Sequence, residues 1–143
     1  MNPLINPIII ARTINAMPSA VYEAYLNPEA NLEWNYSDDN WTTPFAEVNP
    51  RVGGKFRIGY ESGDGKNKFT FEGKFTHLVE FTTINYKIAD GREVRIELVE
   101  QGTQTLVTMA FEAEYVNPRE KQAAGWNKIL SHLAEYVEEN NKN

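Results

Sequence analysis

From Lys55 onward the chain alternates apolar and polar residues between tight turns, and that alternation leaves few folds open. Phe56, Ile58 and Tyr60 share one face of a segment, as do Phe69 and Phe71, Val94, Ile96 and Leu98, and Val107, Met109 and Phe111. Lys55, Arg57, Glu93, Arg95 and Glu97 fall on the other face. Successive side chains of a strand point to opposite sides, so the pattern describes a sheet that is aromatic on one side and wet on the other. Such a sheet needs a cover for its apolar side.

The predicted strands run Phe45 to Val48, Lys55 to Glu61, Lys68 to Val79, Thr83 to Ile88, Glu93 to Val99 and Thr103 to Ala113. Ser62-Gly63-Asp64-Gly65, Asp90-Gly91 and the weaker Gln101-Gly102 supply hairpin turns, because Asp and Gly tolerate positive φ. Short turns imply antiparallel neighbours. The cover follows Asn117-Pro118. There Ala123, Trp126, Ile129, Leu130, Leu133 and Val137 recur at helical spacing, with Lys128, Glu135, Glu138 and Glu139 off that stripe. Fraying is expected at Asn140 to Asn143. Gly125 costs about 1 kcal/mol against alanine inside a helix, which implies either close backbone approach or open space beside it.

Ahead of the sheet, Ile8 to Ile14 reads as a strand. Met17-Pro18-Ser19 starts a helix, Asn27-Pro28 breaks it, and a second short helix runs from Pro28 to Trp34. The prediction is one α+β domain over residues 1–143, a curved antiparallel sheet wrapped around a long C-terminal helix, with two short helices after the first strand.

Composition narrows the function. There is no cysteine, so disulfides, thiolate nucleophiles and cysteine-held zinc are excluded. The net charge of −6 repels phosphate backbones, so no nucleic-acid partner is expected. No apolar run approaches the roughly 20 residues of a membrane span, and Met1 to Ile10 lacks the basic start of a secretory signal. A cytoplasmic setting is the expectation.

Chemistry-bearing motifs are sparse. His77 and His132 titrate nearest neutrality, but neither has a second histidine at ligand spacing, so no metal is expected. Asp38-Asp39, Glu97 with Glu100, and Glu112 with Glu114 read as solvated carboxylates. Arg51-Val52-Gly53-Gly54-Lys55-Phe56 precedes a strand and lacks the spacing of a phosphate loop, so it reads as a bulge or tight strand entry. No cofactor is implied, and no catalytic residue is assigned.

Several segments carry a resemblance. They are Thr13-Ile14-Asn15-Ala16, Val21-Tyr22-Glu23-Ala24-Tyr25, Asn27-Pro28 with Trp34, and Ser37-Asp38-Asp39-Asn40-Trp41, followed by Arg51-Val52-Gly53-Gly54-Lys55-Phe56, Phe71-Glu72-Gly73, and Gly125-Trp126 with Leu130. With the element order, they resemble the START and SRPBCC superfamily, whose helix-grip fold is shared with the birch-pollen allergens. The likeness is strongest to its heat-shock-protein-90 ATPase activator-like branch. Superfamily members bind lipids, sterols or polyketide-like molecules, some catalyse cyclisation or dehydration, and the namesake branch stimulates a chaperone ATPase.

The resemblance implies a carrier or sensor that holds a small hydrophobic or aromatic molecule between sheet and long helix. Trp34, Trp41, Phe56, Tyr60, Phe69, Phe71, Tyr86, Met109, Phe111, Trp126, Ile129 and Leu130 are the expected lining, with Arg57, His77 and Tyr86 as polar contacts. Alternation places His77 beside Phe69, Phe71 and Phe75 unless a bulge at Gly73 reverses the register. Two other readings stand beside it. One is an enzyme of cyclase or dehydratase type acting on such a ligand, with His77 or Tyr86 as acid or base. The other is a stress-response module that stimulates a chaperone ATPase through the Trp34 to Trp41 region, with a chaperone or a second copy of the chain as partner.

Overall fold

The computed structural model describes residues 2–141. Lys142 and Asn143, within the stretch where fraying is expected, lie outside the described residues. The elements run β1 (Pro7–Ile14), α1 (Pro18–Leu26), α2 (Pro28–Trp34), β2 (Trp41–Val48), β3 (Lys55–Ser62), β4 (Lys68–Val79), β5 (Thr83–Ile88), β6 (Glu93–Gln101), β7 (Gln104–Glu112) and α3 (Arg119–Asn140). One seven-stranded antiparallel sheet has the order β1-β7-β6-β5-β4-β3-β2. It curls around α3, which gives the α+β helix-grip architecture.

Local chemistry explains the boundaries. Pro18 and Pro28 each occupy the first helical turn, where a missing N–H costs nothing. Asn27 caps α2 through its side chain, which accepts from the Ala30 N–H at 3.0 Å. At the β5–β6 hairpin Gly91 adopts φ +97°, a region closed to most side chains. The Arg-Val-Gly-Gly segment is a strand entry as expected. Gly53 donates to Phe75 O and Phe75 to Gly54 O at 2.8 and 2.9 Å, tying the segment to β4.

β2 begins at Trp41, four residues before the predicted start at Phe45. Pro44 masks the strand signal, and the ladder with β3 shifts register between Thr42 and Phe45, so Pro44 sits at an irregularity on an edge strand. At the opposite edge, both ends of β1 are tied to α3. Arg119 donates to the carbonyls of Asn6 (3.1 Å) and Pro7 (2.7 Å), and the Asn15 N–H donates to the Glu138 carboxylate at 2.8 Å.

The packing of α3 is uneven along its length. Leu130, Leu133, Ala134 and Val137 are buried, whereas Ala123, Trp126 and Ile129, on the same stripe, are only half-buried. The C-terminal half lies flush on the core, and the N-terminal half stands over a space.

Candidate functional site

That space is a cavity of about 690 Å³ beneath the first half of α3. Its aromatic wall is built by strand alternation, which turns Tyr60 of β3, Phe69 and Phe71 of β4, Tyr86 of β5 and Met109 of β7 to the same side. Trp126 and Ile129 of α3 form the roof and Trp41 stands at the start of β2. The rings pack edge to face and face to face. Trp126 stacks on Phe111 (4.4 Å, 14°) and meets Phe71 edge-on (6.1 Å, 78°), and Trp41 meets Phe69 at 5.7 Å. Phe69 is 55% exposed and, with Asp38 and Lys121, marks the rim.

Polar groups enter this wall from α1, α2 and the loop after it. The Tyr25 and Tyr86 hydroxyls are 3.0 Å apart. Tyr60 donates to Asn35 Oδ1, Asn35 Nδ2 donates to Asn31 Oδ1 at 2.8 Å, and Asn31 Nδ2 donates to the carbonyls of Tyr25 and Asn27. This chain of bonds ties both short helices to β3 and fixes Tyr25 at the cavity. Burial pushes the Tyr25 hydroxyl up to about 12, with the Tyr86 hydrogen bond partly offsetting it. Burial also raises Tyr60 and Tyr86, helped in both by the neighbouring Tyr25. All three phenols are therefore neutral at physiological pH and can donate, but they cannot act as bases.

The loop at the rim is held by His132. Its ring stacks on Tyr36 (4.0 Å, 24°), Nδ1 donates to Tyr36 O at 2.6 Å, and Nε2 lies 3.7 Å from Asp39. Arg92 also borders the cavity, with its Nε bonded to Asp90 at 2.8 Å. No group of three or more His, Asp or Glu that could hold a metal occurs among the described residues.

The expected residues fall into distinct sets. Trp41, Tyr60, Phe69, Phe71, Tyr86, Met109, Trp126 and Ile129 line the cavity. Phe56 borders a small recess at its inner end. Trp34, Phe111 and Leu130 are at most 1% exposed and stand behind the wall; Trp34 donates its indole N–H to Ala24 O at 3.1 Å. His77 is exposed and lines no part of the cavity. The β4–β5 ladder shifts register between Phe75 and His77, so the irregularity falls at Thr76 and not at Gly73. Arg57 is likewise outside, bridging Glu47 (3.0 Å) and Glu72 (3.2 Å) on the wet face. Sequence reasoning missed Tyr25, Asn35, Ser37, Asp38, Arg92, Asn117 and Lys121. Asn31 in the short helix and Asn35 just past its end were one available signal, since amides four residues apart can bond to each other.

The described residues contain no helix long and apolar enough to cross a membrane. No curated protein matches the chain. Among solved structures it is similar to an AHSA1-like protein from Aeromonas hydrophila, with 31% identity, 94% of each chain covered and a TM-score of 0.86. A protein from Cytophaga hutchinsonii is 32% identical over 94% of each chain, with a TM-score of 0.81. One from Chromobacterium violaceum is 26% identical, covering 93% of this chain and 97% of that one, with a TM-score of 0.84. The family model described as activator of Hsp90 ATPase homolog 1-like protein matches residues 15–138, and the chain belongs to that family.

Proposed function

We propose that the chain binds a small hydrophobic or aromatic molecule in the cavity beneath α3, as a carrier or sensor. The carrying observation is the cavity itself, about 690 Å³ with aromatic walls, within the roughly 300–1,000 Å³ usual for small-molecule sites. Besides Ser37, Asp38, Arg92, Asn117 and Lys121, its polar lining consists of the Tyr25, Tyr60 and Tyr86 phenols and the Asn35 amide, neutral groups that suit orienting an apolar guest. We favour binding without turnover, because His77 lies outside the cavity and Tyr86, raised by burial, cannot serve as a base. The setting proposed is cytoplasmic.

The test is a saturable titration with an apolar fluorescent probe, followed by mass spectrometry of molecules that copurify with native protein. One-to-one binding, displaced by small aromatic compounds, supports the carrier. A substrate and product pair favours the enzyme. Copurifying chaperone favours the reading that the family's description suggests, with the contact sought in the Trp34 to Trp41 region, where Trp34 is buried and Asp38, Asp39 and Asn40 are exposed. A probe that fails to bind the folded protein overturns the carrier.

A further inference from the structure

At its inner end the cavity adjoins a recess of about 20 Å³, room for one oxygen-sized group. Tyr25, Asn35, Phe71 and Tyr86 border both spaces. No charged side chain lines the recess. Of its amides, Asn31 is committed, donating to two backbone carbonyls and accepting from Asn35; Asn35 accepts from Tyr60 through its oxygen and uses one of its two Nδ2 protons on Asn31.

The tyrosine pair holds an uncommitted proton as well, on a hydroxyl. Two phenols carry two protons, and the bond between oxygens 3.0 Å apart uses one of them. Whichever hydroxyl donates, its partner keeps a proton that no described residue accepts. An apolar hydrocarbon in the cavity leaves that donor unpaired, at a cost. An anionic oxygen would lose its hydration with no cation in the recess to replace it. A neutral acceptor meets both conditions.

Building on the reading of the cavity as a ligand site, we propose that its ligand is an apolar ketone, whose carbonyl oxygen sits in the recess on the free proton of the Tyr25–Tyr86 pair. Aromatic or alkyl carbon then fills the wider space between Phe71, Met109 and Trp126.

The test compares 2-acetylnaphthalene with 2-ethylnaphthalene, which differ at the carbonyl and little in size. The ketone should bind about tenfold more tightly, the worth of one buried hydrogen bond. Its carbonyl stretch should move to lower frequency on binding. Tyr25→Phe and Tyr86→Phe should each keep a preference, because the surviving hydroxyl retains its proton. The double variant should bind the two probes equally and lose the infrared shift. Equal binding by the native protein, with an unshifted carbonyl, overturns the inference but leaves the cavity reading intact. A ketone preference that survives in the double variant overturns it as well. If neither probe binds, the cavity reading fails and takes this inference with it.

Discussion

Replacing Gly125 by alanine should make the folded chain more stable. The residue lies inside α3, its φ is not positive, and an added Cβ would meet nothing within 4 Å. No steric cost therefore opposes the gain in helix propensity, about 1 kcal/mol at full value. Part of that gain comes from restricting the unfolded chain, so about 0.5–1 kcal/mol is expected. With a urea slope of about 2 kcal/mol/M, the unfolding midpoint should rise by about 0.3–0.5 M. Gly73→Ala is the matched control. Its Cβ would lie 2.6 Å from the Lys87 carbonyl and 2.7 Å from the Phe56 ring, so that variant should lose about 1–3 kcal/mol. A Gly125→Ala midpoint at or below that of the native protein would refute the reasoning, because the space beside the helix would then have to be occupied.

Trp126→Ala should cost about 2–3 kcal/mol in urea melts, below the 3–5 typical of a fully buried large aromatic, because Trp126 already borders empty volume; a loss above about 4 would mean a closed core. Absorbance titration should show Tyr25 ionising only near pH 12, and Tyr60 and Tyr86 only well above the ordinary tyrosine range or on unfolding, since burial raises all three. A raised phenol binds its proton more tightly when folded, so its contribution to stability is complete below about pH 10 and is lost as pH rises toward the folded value; flat stability between pH 10 and 12 would contradict this. His132→Ala should speed amide exchange at residues 36–40 while leaving the protection of β6 and β7 unchanged, because the ring holds only the rim loop.

Alternation made the sheet legible, because its period of two follows from strand geometry and the β3 to β7 segments carry it cleanly. The same rule failed at His77, where one irregular residue at Thr76 moves a side chain to the other face and no residue type there announces it. Pro44 hid the start of β2 for a related reason: its residue type argues against a strand that the edge position permits. In α3 the stripe identified the buried face but not the depth beneath each residue. Leu130 and Trp126 occupy the same stripe, yet one is sealed and the other roofs the cavity. The polar wall was the least visible part, since Tyr25 reads as one more apolar residue of α1 until its hydroxyl is placed against Tyr86.

An incompletely closed sheet has two margins at which a foreign strand could dock, and in this chain each is blunted by a different device. At β2 the proline removes a donor and the register shift breaks the ladder. At β1 protection is delegated to the far end of the sequence, where Arg119 occupies the carbonyls of Asn6 and Pro7 and Glu138 occupies the N–H of Asn15. The helix that roofs the cavity thus also acts as the guard of an otherwise adhesive edge. A nascent or proteolysed chain without α3 would expose both the aromatic face and that edge, and its fate would be self-association instead of a smaller soluble fold.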